Sequence, residues 1–361
     1  MRINIQEMKA KVSMKNIKQK LFLLICFVMS SVLLFNGCAK NDGNETTNDE
    51  CNFLREKPHF FQFEKLVIDP LETDSEITLE TDQRHLVFVP QHLTSLKDEL
   101  FVFLPGTGAS PSSYENIMHA AAFAGYKTIG LCYHNNVTIF SRCSSVPNDP
   151  DCSLLARQEN QEGTNVSDLI DVGPADCINN RLLKLLQMLN KTQPNEGWDK
   201  YYYGNEPVWS KLIFAGHSQG AAQTAYISKI HEIARAIHFS HIGELYGDEQ
   251  SGDLKITPWS LEPRLTPSSR IYLLYHKDEQ TALWSRDVCK AIGVLEYGDI
   301  QNVDDVAAPY NCSHILSIGT PAVDQHEAHN MTAFDAAMPM DSDNLPIYTE
   351  AIMYMITNSS Q

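Results

Sequence analysis

The stretch from 212 to 225, Leu-Ile-Phe-Ala-Gly-His-Ser-Gln-Gly-Ala-Ala-Gln-Thr-Ala, constrains the fold more than any other part of the chain. Leu212 to Ala215 is a short apolar strand, Gly216 and Gly220 bracket Ser218, and Ala221, Ala222 and Ala225 open a helix. A G-x-S-x-G sequence between strand and helix is a sharp turn that holds its serine in a strained backbone conformation. Glycines flank it because the neighbouring chain must pass close by. Ser218 is therefore predicted to stand above the end of a strand as a nucleophile, with a helix N-terminus beneath it. Such a turn needs a sheet to carry it and helices to cover that sheet.

The rest of the chain supplies both. Short apolar runs at 84–90, 99–104, 126–133, 237–240, 270–275 and 314–318 read as strands. Helical patterns at 113–123, 177–189, 219–235 and 345–356 alternate with them. In the clearest of these, Ile178, Leu182, Leu185, Leu186 and Leu189 share one side. The alternation predicts an α/β fold with a mostly parallel central sheet flanked by helices. Residues 134–174 carry no strong period, and an insert that long in a compact domain is expected to act as a lid or substrate wall. No internal repeat or linker interrupts 55–361, so one domain is expected there.

A serine nucleophile needs a base, and the charge that develops on the substrate oxygen needs donors. The backbone N–H of Gln219, directly after Ser218, is one expected donor. The loop Leu104-Pro-Gly-Thr-Gly108, after an earlier strand, offers the other through the N–H of Thr107. No Gly-Lys-Ser/Thr follows, so this is not a phosphate loop. In the chain order Ser, acid, His, the strand Ile271 to Tyr275 runs into His276-Lys-Asp-Glu279, which makes Asp278 the leading orienting acid. Glu279 is its neighbour and Glu244 an outside option. Among late histidines, His329 is preferred over His326 because Met331 to Phe334 could anchor its loop in the core. His314 begins a strand and reads as structural, and His217 reads as a wall of the site. The His326/His329 pair lacks the H-E-x-x-H spacing, so no metal is expected. The predicted chemistry needs no cofactor.

Charge limits the partners. The chain carries 28 Lys+Arg and 45 Asp+Glu in 361 residues. Six of those cations and a single acid lie within 1–37, which leaves 22 positive and 44 negative charges in the remainder. With two acids for every base, the body is not a nucleic-acid binder. The basic N-terminus is followed by Leu21 to Phe35, fifteen residues that are apolar apart from Ser30 and Ser31, then by Asn36-Gly37-Cys38. This reads as an export signal, too short for a spanning helix, with Gly37-Cys38 similar to a lipobox. Cys38 is then the expected lipidation site, 38–54 a flexible tether, and the bacterial cell envelope the expected location. Seven cysteines remain from Cys51 onward, an odd number in an oxidising compartment. Cys143 and Cys152, which bracket a Pro/Asn/Asp/Ser loop, are the expected disulfide.

The chain resembles the α/β-hydrolase superfamily, and within it a little-described group of secreted bacterial serine hydrolases with a Gly-His-Ser-Gln-Gly elbow. The resemblance rests on Leu104 to Tyr114, Asn179 to Leu186, Gly197-Trp198, Ala215 to Ala222, Ala328-His-Asn330 and Pro346-Ile-Tyr348. It implies the α/β-hydrolase fold, Ser218 as nucleophile and His329 as base, and it adds support for Asp278. It departs at Ala221, where such elbows often continue with glycine. The function expected is a lipid-anchored serine hydrolase cleaving carboxylic esters. An amidase or peptidase on the same residues, or a binding lipoprotein that kept the fold, stays open as an alternative. A small-molecule or lipid-like ester is the expected substrate, and an anionic bilayer an unfavourable surface for so acidic a body.

Overall fold

Each strand near the middle of the sheet is apolar on both sides, so its alternate residues feed two separate cores. On one face lie Phe101, Phe103, Ile213, Ala215, Ile237, Phe239, Tyr272 and Leu274, and on the other Leu100, Val102, Leu104, Leu212, Phe214, Ala236, Ile271 and Leu273. In a computed structural model the structure describes residues 51–59, 62–91, 96–248 and 251–359. The expected export signal and Cys38 lie outside the described residues.

In chain order the elements that position the site are β1 (Phe63–Ile68), β2 (His85–Pro90), β3 (Leu100–Leu104), α1 (Glu115–Phe123) and β4 (Lys127–Gly130). They continue with α2 (Cys152–Glu162), α3 (Ile178–Thr192), β5 (Leu212–His217), α4 (Gln219–Ile230), β6 (Arg235–Phe239) and β7 (Ile271–His276). The last are α5 (Ala282–Ala291), β8 (Gln301–Asn302), β9 (Ile315–Ile318), α6 (Gln325–Asn330) and α7 (Thr349–Thr357). The nine strands pair in the order β1-β2-β4-β3-β5-β6-β7-β9-β8. Strand β2 is antiparallel to both neighbours, and the other pairings are parallel. Helices α1 and α7 cover the first face, and α3 and α5 the second.

Three features differ from expectation. Helix α4 stops at Ile230 rather than reaching Arg235, because Arg235 begins β6. The 134–174 stretch is not structureless: it folds into Ile139–Cys143 and α2, joined by the Cys143–Cys152 disulfide with a Cα–Cα distance of 5.8 Å. Helix α2 is held by a small apolar cluster that includes Cys152 and Ala156, and by buried polar groups. The buried Glu159 carboxylate accepts from the N–H groups of Val166, Ser167 and Val172. Arg157, also buried, pairs with Glu244 and donates to the Gln219 carbonyl at 3.2 Å. A second disulfide, Cys51–Cys312, ties the start of the described chain to the loop before β9. Cys51 and Phe53 are buried, with Phe53 edge-on to Tyr354 of α7, so this part of the expected tether packs with the body.

Candidate active site

Strand β5 delivers Ser218 at a turn whose backbone nothing but this packing would hold. Its φ is 54° and ψ −119°, a conformation that costs a non-glycine residue about 1 to 3 kcal/mol. The Ser218 N–H donates to the Phe239 carbonyl at 3.1 Å, and its own carbonyl accepts from Ala222. Both flanking glycines are demanded by contact rather than by φ. A Cβ on Gly216 would lie 2.3 Å from the Gly220 carbonyl oxygen, and one on Gly220 would lie 2.0 Å from that of Leu104. The start of α4 thus presses against the end of β3, which brings the Gly106–Ala109 loop beside the serine.

That loop is braced from β4's exit. Asn135 donates through Nδ2 to the carbonyls of Gly106 (2.7 Å) and Ala109 (2.8 Å), and its own carbonyl accepts from the Gly108 N–H. Tyr133 donates to the Pro105 carbonyl at 2.8 Å. Thr107 Oγ1 lies 3.4 Å from Gln219 Oε1, so the two expected oxyanion donors sit on adjoining segments. Gln219 opens α4, where an N–H has no intrahelical acceptor. Its side chain also accepts from the Ile139 N–H, which ties the 134–174 excursion to the elbow. Nothing in the sequence had singled out Asn135, although a buried asparagine just past a strand has the donors to brace a neighbouring loop.

The carboxylate beside His329 belongs to Glu279 and not to Asp278, a correction to the sequence reading. A tight turn after β7, with the Glu279 N–H bonded to the His276 carbonyl, sends the two neighbouring acids to opposite sides. Glu279 goes inward: its side chain is fully buried, Oε1 accepts from the His276 N–H at 2.8 Å, and Oε2 lies 2.6 Å from His329 Nδ1. Asp278 goes outward with its side chain 60% exposed. Glu244, the outside option, is committed elsewhere. Burial would raise its carboxyl, but the Arg157 guanidinium and His241 outweigh that and hold it at about 2.

His329 is fixed by its backbone as well as its ring. Its carbonyl accepts from Ser240 Oγ at 2.6 Å and lies 3.0 Å from His217 Nε2. Burial, with the His329 ring beside it, holds His217 well below its usual value, so the ring is neutral. Nε2–H then donates to the His329 carbonyl, while Nδ1 accepts from the Tyr114 hydroxyl at 3.1 Å. That hydroxyl in turn accepts from the Gly106 N–H. One chain of hydrogen bonds therefore runs from the Gly106 loop to the His329 backbone. His217 lines the cleft as expected and is also one of its struts. His326, exposed, bonds Asn330 at 3.1 Å. His314 is buried and stacked on Tyr272 and Tyr297, in keeping with the structural reading.

Ser218, His329, His217 and Thr107 line one open cleft of about 750 Å³. Asp82, Gln83, Ser110, Ser113 and Asn330 give it a polar wall, and Phe334 contributes a ring. No protein-family model and no curated protein matches the chain. Among solved structures, the chain is similar to a thermophilic esterase, Est2, from the planctomycete Thermogutta terrifontis. That match has 12% identity and a TM-score of 0.40, covering 80% of this chain and 89% of that one. It is also similar to a phospholipase/carboxylesterase from Dyadobacter fermentans, at 12% identity and TM-score 0.33, covering 83% and 99%. A third match is an S-formylglutathione hydrolase from Staphylococcus aureus, at 11% identity and TM-score 0.37, covering 82% and 100%. The chain's own geometry carries the assignment: a mostly parallel sheet flanked by helices, with a strained serine on its strand-to-helix turn, is the α/β-hydrolase fold.

Proposed function

We propose that this chain is a serine hydrolase that cleaves carboxylic esters through an acyl-enzyme on Ser218. The observation that carries the reading is the 2.6 Å contact between His329 Nδ1 and the buried Glu279 carboxylate, with the ring in the same cleft as the strained serine. With Nδ1–H donating to Glu279, Nε2 carries the lone pair and is the base. His329 takes the Ser218 proton as Oγ attacks the ester carbonyl, then gives it to the departing alcohol. The N–H groups of Gln219 and Thr107 hold the oxyanion. Water, deprotonated by His329, releases the acid and frees Ser218. The Glu279 carboxylate orients the ring and stabilises the imidazolium.

The chain is further proposed to be exported and anchored through lipid on Cys38, facing the cell envelope. Two disulfides among the described residues support an oxidising compartment. Fluorophosphonate labelling decides the catalytic part: the probe should mark Ser218 in the native protein and nothing in Ser218→Ala. A native protein left unlabelled would end the reading. Esters of graded acyl length then define the substrate, and turnover of anilides in place of every ester would redirect it to an amidase. Metabolic labelling with palmitate, lost in Cys38→Ala, tests the anchor.

A further inference from the structure

The cleft at Ser218 does not end at its own wall. A second cavity of about 300 Å³ adjoins it, and Asp82, Gln83 and Ser110 line both. The second cavity lies along the outer strands of the sheet, with Val67 of β1 and Leu86 of β2 as its apolar surface. Around it stand the hydroxyls of Ser110 and Ser112, 2.7 Å apart, and the carboxylate of Asp82. We propose that this cavity is a subsite for the alcohol portion of the ester, and that the alcohol is an uncharged polyhydroxylated ring such as a sugar. The inference rests on the ester-hydrolase reading and goes beyond it by naming what the ester is made on.

Three observations select that chemistry. The two cations that line this cavity are already paired, Lys65 with Glu115 at 2.7 Å and Arg84 with Asp69 at 3.1 Å, and no Lys or Arg lines the Ser218 cleft. An anionic alcohol would therefore meet Asp82 without a free counter-charge. An alkyl chain would cover Val67 and Leu86 but would also press on the charged groups of Asp82, Glu115, Lys65 and Arg84, which line the same small cavity and would lose water without gaining a partner. A sugar ring offers what the walls complement: a C–H face for Val67 and Leu86, and hydroxyls that donate to the Asp82 carboxylate and donate to or accept from Ser110 and Ser112.

Val67 is 60% exposed on the outermost strand, so Val67→Trp fills the cavity without entering the core. The first readout is the ratio of kcat/KM for a monoacetylated disaccharide to that for methyl acetate. It should fall at least tenfold in Val67→Trp, and an unchanged ratio overturns the subsite. The second is calorimetric binding of the same disaccharide ester to Ser218→Ala, with and without Val67→Trp. Binding weakened at least tenfold by the tryptophan supports the subsite, whereas no binding, or equal binding in both proteins, overturns it whatever the turnover. Failure of the hydrolase reading is seen separately, as a native protein that fluorophosphonate does not label.

Discussion

Ser218 and His329 reach the same cleft by different routes. The serine is placed by its sequence neighbours: β5 ends, two glycines let the chain fold back against β3, and α4 begins. The histidine is placed by residues far away in the chain, with Glu279 on its ring and Ser240 and His217 on its carbonyl. A device built locally is written in consecutive residues. One built from distant segments depends on how loops turn, and a single turn decides which of two acids faces inward.

The largest expected effect follows from that turn. Glu279→Gln keeps the shape but offers His329 an amide where the imidazolium needs a charge, and kcat on the best ester should fall about 10⁴-fold. Asp278→Asn, at an exposed position, should change kcat less than about twofold. Steady-state kinetics on the two variants side by side checks the assignment, and equal losses would return Asp278 to the site. Next comes the local device. Gly220→Ala drives a methyl onto the Leu104 carbonyl at a nominal 2.0 Å, so β3 and α4 must part, at about 3 kcal/mol by denaturant unfolding. A loss below about 1 kcal/mol would mean that the elbow is more compliant than its packing indicates.

The same contrast explains what the residues disclosed. Strands β3, β5 and β7 were legible because burial on both faces leaves unbroken apolar runs. Ser218, Gln219 and the Thr107 loop followed from spacing along the chain. Strand β1 was not legible: an outer strand with pattern exposed more often than buried carries little apolar signal. Helix α2 was hidden for a different reason, because its buried side includes Arg157, Glu159, Asn160 and Gln161, which no hydrophobic period can reveal. Glu279 was within view but ranked second, since adjacency in sequence says nothing about which carboxylate a turn buries. Asn135 and Ser240 act through backbone carbonyls, and such partners leave no mark in a sequence.

Acid should find the support beneath the elbow before it finds the serine. His238 of β6 is fully buried, bonds the Ala221 carbonyl at the start of α4 through Nδ1, and is pushed down to about 3 by burial and by the Arg264 charge. Below its unfolded value of about 6.5 the unfolded chain takes up a proton that the folded chain refuses. The contribution is therefore whole above pH 6.5 and shrinks as pH falls toward 3. At pH 5 the loss is about 2 kcal/mol. Unfolding free energies at pH 7.5 and pH 5 should differ by about that much more in the native protein than in His238→Gln, and equal differences would show that this ring is protonated in the fold.

The smallest effect probes the distant device at its weakest strut. Ser240→Ala removes one donor from the His329 carbonyl and leaves the His217 Nε2–H in place. The ring keeps Glu279, so the base survives but its backbone gains freedom, at about 1 kcal/mol of stability. Because Ser240 is buried and is not among the residues that line the cleft, KM should hold while kcat drops about fivefold. Pairing Ser240→Ala with Glu279→Gln tests whether both act through one ring: once the charge is gone the position of His329 matters less, so the double variant should lose less than the product of the two single losses. Full additivity would separate Ser240 from the histidine and leave it a packing residue just past β6.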